Sequence, residues 1–164
     1  MKSSVQKITN FCAILVLGGT VLAGFIIEFL GGQVPCILCF LQRIALFGVA
    51  IGLYCNLAFG IKIRHYALSY FWALFGLFSS LWHIALNICK VPQSPPFFVL
   101  SHRMYTWAFI VFFSSLVGLT GFLLMVDKEE GLPAKKLESF AKVFLLVLLC
   151  IGVFSVFKKQ GFRF

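Results

Sequence analysis

Pro35-Cys36-Ile37-Leu38-Cys39-Phe40-Leu41-Gln42-Arg43 stands between two long apolar runs, residues 11–30 before it and a second that starts at its own cysteines and continues to residue 61. About 20 apolar residues suffice for a helix to cross the hydrocarbon core of a bilayer, so each run reads as one span. Gly31-Gly32-Gln33-Val34-Pro35 breaks the first span from the second, with Pro35 biasing Val34 away from helical geometry. Two thiols and one fixed positive charge therefore fall at the mouth of a membrane helix.

The rest of the composition agrees with that reading. Of 164 residues, 61% are hydrophobic and only 12% charged, and the mean hydropathy is +1.01, far from the average soluble domain. The expected fold is all-α: a polytopic membrane bundle of four core helices and a C-terminal fifth, in one domain over residues 1–164. A net charge of +9 would suggest nucleic acid in a soluble protein. Here Lys and Arg cluster at the ends of apolar segments, where they set topology and meet anionic lipid, so lipid is the expected partner and nucleic acid is not.

Five helices are expected, at about residues 11–30, 40–61, 66–88, 104–126 and 140–157. The first run is longer than a signal-peptide core and lacks a small-residue cleavage pattern, so it reads as a retained helix. Glu28 near its end is either an interfacial acid or a partner for Arg43. Lys62-Ile63-Arg64-His65 is a short basic turn, which makes the second and third helices antiparallel neighbours. Pro92, Pro95 and Pro96 prevent a continuous helix through the next loop, and its apolar tetrad Phe97-Phe98-Val99-Leu100 is too short to span and is expected on the membrane surface. Cys12, Cys55 and Cys150 lie in or at the ends of apolar runs and read as small packing residues.

Orientation follows from the basic residues. With the amino terminus in the cytoplasm, that side collects Lys2, Lys7, Lys62, Arg64, Lys128, Lys135 and Lys136, against Arg43, Lys90 and Arg103 outside. Lys158, Lys159 and Arg163 run against this bias if the fifth helix spans. The arrangement places Cys36, Cys39 and Cys89 on the non-cytoplasmic face of the membrane, in a compartment where disulfides persist.

The residue types suit thiol chemistry. Two cysteines separated by two residues close a small disulfide, and a helix starting within the motif adds its positive dipole end to the stabilisation of a thiolate. Arg43 is four residues beyond Cys39, shares its helical face and stays charged at any relevant pH, which favours a Cys39 thiolate. An arginine inside a span is costly and by default marks function, the alternative being that it snorkels to the interface. Its charge also suits a quinone oxygen on which negative charge develops. A structural zinc at Cys36 and Cys39 needs two more ligands from Cys89, His83 and His102, and the usual second Cys/His pair at finger spacing is absent, so no resident metal is expected.

Proline-Cys-x-x-Cys-x-x-Gln-Arg at residues 35–43, the following Ile44-Ala45-Leu46-Phe47-Gly48-Val49, the short basic turn after the second helix and His83 near the end of the third resemble the disulfide-bond formation protein B family, DsbB and its Gram-positive relative BdbC. The resemblance covers roughly residues 11–126. It implies a thiol:quinone oxidoreductase that reoxidises a thioredoxin-fold dithiol oxidase of the DsbA type and passes the electrons to ubiquinone or menaquinone. It further implies that Cys36 exchanges with other thiols and Cys39 faces the quinone, with Arg43, Gln42 and His83 as cofactor-binding residues. The sequence departs from the family in its second outer loop, which carries Cys89 alone where the family has a pair. Either the partner exchanges directly with Cys36 and Cys39, or Cys89 acts as an auxiliary thiol through a transient bond. Two other readings stay open: a thiol conduit running in the reductive direction, and a noncatalytic assembly or metal-binding protein using Cys36, Cys39 and Cys89.

Overall fold

Five stretches of the chain lack internal helix breakers and are apolar over most of their length, and in the computed structural model each of them is a helix. The structure describes residues 2–30, 36–88, 98–99, 102–124 and 135–160. Helix α1 covers Lys2–Leu30, α2 Ile37–Ala58, α3 Ile63–Ile88, α4 Met104–Leu124 and α5 Lys135–Gln160. All five are long and apolar enough to cross a membrane; the 22 residues of α2 alone rise about 33 Å. The chain is thus a multi-pass membrane protein built as an all-α bundle. Phe98–Val99 and His102–Arg103 form a two-residue antiparallel ladder, β1 and β2, between α3 and α4.

Four helix starts lie earlier than the apolar runs suggest; α3 begins at Ile63, three residues before the expected 66, because Ile63, Arg64 and His65 of the basic turn join its first turn. Helix α1 begins at Lys2 because its polar first turns have partners: Gln6 and Asn10 are buried, and both bond to Tyr66 of α3. Helix α2 begins at Ile37, since Pro35 restricts only the residue before it and nothing in residues 36–40 breaks a helix. Helix α5 begins at Lys135, its solvated basic turn continuing into the apolar face that carries Ala141, Leu145 and Leu148 inward.

Helix α2 is central, packed against α1, α3 and α5, while α4 lies chiefly on α3. Antiparallel pairing of α2 with α3 follows from the turn: Gly60 takes φ 82°, a left-handed conformation that glycine adopts without a side-chain penalty. The two helices then approach closely at Gly52, where an added Cβ would meet the carbonyl oxygen of His65 at 2.8 Å and the amide nitrogen of Ser69 at 2.9 Å. Small residues permit such approach in lipid, where apolar burial supplies no drive between helices. Ser69 seals it by donating its hydroxyl to the Val49 carbonyl at 3.0 Å.

Polar and apolar residues are distributed for a lipid solvent. Large apolar side chains such as Phe78, Val117 and Phe154 are more than half exposed, while Gln6, Asn10, Gln42, Asn56, Ser69, Ser79, Ser80 and His83 are buried. Polar groups inside a span must find partners within the protein or serve a function.

Candidate active site at the start of the second helix

Cys36 is the N-cap of α2, with extended backbone (φ −79°, ψ 130°) and no side-chain capping bond. Its carbonyl accepts the Phe40 amide at 3.1 Å, so the first turn closes directly over the dithiol. Cys36 and Cys39, three residues apart on this turn, share a face. Both are free thiols, half-buried, beside the positive end of the α2 dipole.

Arg43, one turn further on, is held by α1 on three sides. Its Nη1 forms an ion pair with Glu28, its Nη2 donates to the Gly24 carbonyl at 3.1 Å, and its Cζ lies 4.4 Å from the centre of the Phe25 ring. The guanidinium and the carboxylate are only 16% and 10% exposed. Of the two sequence readings of Glu28, partner of Arg43 is the one the geometry supports. A buried cation with an acid, a carbonyl and a ring around it is fixed in position, and removal of either charge leaves the other uncompensated.

Two cavities meet at this arginine. The larger, about 480 Å³, is lined by Phe25, Phe40, Ile44, Trp72, Leu149 and others of α1, α2, α3 and α5, and neither sulfur lines it. The smaller, about 240 Å³, lies between α1, α2 and α4 and is lined by Cys39, Gln42 and Arg43 together with Thr20, Gly24 and Trp107. Size favours the first and chemistry the second. Only the second combines a thiol, a cation and an amide with apolar walls, the usual make-up of a small-molecule site. Gln42 sharpens the point: it is 5% exposed, and its Nε2 has no hydrogen-bond partner among the described residues. A buried amide left unpaired costs about 1–3 kcal/mol unless a ligand or water completes it.

His83 comes from α3 to the same end of the bundle. Its Nε2 lies 3.9 Å from the Cys36 sulfur, its ring centre is 5.0 Å from that of Tyr105, and it lines neither cavity. The sulfur atoms of Cys36 and Cys39 and a ring nitrogen of His83 all lie within 4.8 Å of one another. Four of the residues singled out in the sequence, Cys36, Cys39, Arg43 and His83, therefore converge, and Gln42 joins them at the cavity wall. Cys89, the candidate auxiliary thiol, lies outside the described residues, as do Phe97 and Leu100 of the 97–100 tetrad. Thr20, Gly24 and Trp107 carried no sequence signal, because they come together only across the space between α1, α2 and α4. Helices α1 and α4 touch at the opposite end, where Gln6 of α1 donates to the Phe122 carbonyl of α4 at 3.4 Å.

A family model described as "Disulfide bond formation protein DsbB" matches residues 6–94. That span covers α1 to α3 and includes Glu28, Cys36, Cys39, Gln42, Arg43 and His83. No curated protein and no solved structure matches the chain.

Proposed function

This chain belongs to the DsbB family of disulfide bond formation proteins, and from that footing we propose that it is a thiol:quinone oxidoreductase of the bacterial inner membrane, with its amino terminus in the cytoplasm and Cys36 and Cys39 on the outer face. Its substrate is the dithiol of a thioredoxin-fold oxidase of the DsbA type, and its acceptor is ubiquinone or menaquinone. The observation that carries the reading is the division of the two sulfurs. Cys39 lines the cavity with Gln42 and Arg43, whereas Cys36 caps the helix and faces His83.

In the oxidised protein Cys36 and Cys39 share a disulfide. A thiolate of the partner attacks the Cys36 sulfur, the Cys36–Cys39 bond breaks, and Cys39 leaves as a thiolate beside Arg43. The partner's second thiolate then attacks the partner sulfur bonded to Cys36, closing the partner's own disulfide and releasing Cys36 as a thiolate, and the two sulfurs take up two protons. The partner departs oxidised, and Cys36 and Cys39 hold the electron pair as a dithiol. Bound quinone supplies the two-electron, two-proton sink for that dithiol. The residues present fit such a group: the unpaired Gln42 amide and the Arg43 guanidinium are donors for a carbonyl oxygen, and Val21, Ile27, Leu46 and Val111 wall it from water. Arg43, oriented by Glu28, steadies negative charge on Cys39 and on the acceptor oxygen without reorganisation. His83 sits with the exchanging thiol, where its imidazole accepts or returns the Cys36 proton. Cys89 assists exchange with the protein partner.

Vesicles holding the purified protein, quinone and a reduced thioredoxin-fold dithiol test the reading. Cys36→Ser and Cys39→Ser each lower quinol formation to background, while Cys89→Ser slows turnover with the protein partner and leaves turnover with a small dithiol nearly unchanged. Wild-type rates in either Cys36→Ser or Cys39→Ser would sink the proposal.

A further inference from the structure

The thiol–imidazole cluster has a chemistry beyond disulfide exchange. Two sulfurs and one imidazole nitrogen within 4.8 Å of one another are the donor set of a borderline-soft cation. Zinc bonds to thiolate at about 2.3 Å and to imidazole at about 2.0–2.1 Å, which places neighbouring ligand atoms of a tetrahedral site ~3.6 Å apart. The 3.9 Å between Cys36 Sγ and His83 Nε2 is already close to that. Cys36 and Cys39 sit at the N-cap and third position of α2, so a single helical turn supplies both thiolates. The third ligand comes from α3 on a side chain that is 9% exposed, with its other nitrogen, Nδ1, unpartnered among the described residues.

We propose that the reduced dithiol form of this site binds one divalent cation of the zinc class through Cys36 Sγ, Cys39 Sγ and His83 Nε2, and that this binding holds the enzyme in an inactive state. The inference rests on the reading that Cys36 and Cys39 alternate between dithiol and disulfide. Binding releases the two thiol protons and transfers no electrons: the dithiol and the cation become a bis-thiolate complex. Two thiolates, a neutral imidazole and a divalent cation sum to zero charge, which suits a site at the end of a membrane helix, where a net charge is costly. A monovalent soft cation would leave one negative charge. Arg43 does not oppose the cation, because its own charge is matched by Glu28. Formation of the Cys36–Cys39 disulfide removes both anionic ligands, so the site exists in one redox state only. The metal is a competitor for the reduced site and not a resident cofactor.

The experiment is a zinc titration of the purified full-length protein in micelles against a chromophoric chelator. One sample is kept reduced by a phosphine under anaerobic conditions, the other is oxidised to the disulfide. A parallel titration with cadmium reads thiolate coordination directly from its ligand-to-metal absorption. One equivalent bound by the reduced form and none by the oxidised form is expected, with Cys36→Ser and Cys39→Ser abolishing the cadmium band. His83→Gln weakens binding by about tenfold or more. Equal binding in the two redox states, or binding indifferent to His83→Gln, overturns the proposal, and the redox comparison needs no variant to fold. Quinone reduction measured without metal on the same preparation keeps the two readings apart: lost turnover with intact redox-gated binding counts against the oxidase alone, and intact turnover without binding counts against the metal site alone.

Discussion

The two ends of the bundle hold polar groups of similar kinds under opposite rules. At the end where α1 starts, Asn10 and Tyr66 exchange hydrogen bonds at 2.9 and 3.1 Å, Gln6 reaches the same hydroxyl at 3.2 Å, and Tyr66 stacks on Phe122. Asn56 accepts the Lys62 amide at 3.1 Å, although its own Nδ2 is unpartnered among the described residues. At the thiol end, Gln42 Nε2, Ser79 Oγ and His83 Nδ1 are buried without partners among the described residues. The first end spends most of its polar groups on joining α1, α3 and α4, with Asn56 Nδ2 the exception among the described residues. The second leaves Gln42 Nε2, Ser79 Oγ and His83 Nδ1 without partners among the described residues. The difference separates polar residues that bond one helix to another from polar residues left unpaired at the dithiol end, although both look alike as polar residues in an apolar sequence.

The largest effect should come from Arg43→Ala. It strands Glu28 in a buried position, and losing one partner of such a pair typically costs about 3–5 kcal/mol. It also removes the cation facing Cys39, lowering quinone reduction by roughly 10²-fold or more. Pairing it with Glu28→Gln sharpens the comparison: thermal unfolding in micelles recovers most of the loss, and turnover does not. If turnover recovers with stability, Arg43 belongs with the structural end.

Gly52→Ala tests the structural end by sterics. The added methyl meets backbone of α3, with overpacking costs of about 1–3 kcal/mol, so unfolding occurs earlier while the folded fraction turns over at the wild-type rate. Tyr66→Phe follows with a smaller loss of about 1–2 kcal/mol, because Gln6 and Asn10 lose a shared partner but can seek each other. Reduced turnover per folded molecule in either variant would break the separation of the two ends.

Gln42→Leu is the reverse case and the smallest in stability. The replaced Nε2 has no partner to lose among the described residues, so unfolding is unchanged or slightly later, whereas KM for quinone rises by about tenfold, the worth of one hydrogen bond. A clear loss of stability would show that the Gln42 amide serves the fold.

Much of this division was legible in the sequence and part was not. Apolar runs and the position of Pro35 revealed the spans, and the spacing of Cys36, Cys39 and Arg43 revealed the reactive end, because helical periodicity turns separations of three and four residues into proximity. Glu28 was legible only as an alternative, since its pairing with Arg43 depends on how α1 lies against α2. Gln6, Asn10 and Tyr66 gave no signal: they are far apart in the chain, and only the α1–α3 contact makes a network of them. The same holds for Trp107 and Thr20 at the cavity wall. The resemblance names His83 among the cofactor-binding residues; the structure puts its Nε2 3.9 Å from the Cys36 sulfur, a proximity that no one-dimensional spacing carries.

The central claim is that the unpaired end of the bundle is a dithiol that gives its electrons to quinone. The most direct measurement is a single turnover without any protein partner. Full-length protein reduced at Cys36 and Cys39 is mixed with quinone in micelles, and the remaining thiols are alkylated and located by mass. Loss of both thiols with formation of a Cys36–Cys39 disulfide and an equivalent of quinol is the predicted result. Thiols at Cys36 and Cys39 that stay alkylatable after quinone is added would contradict it.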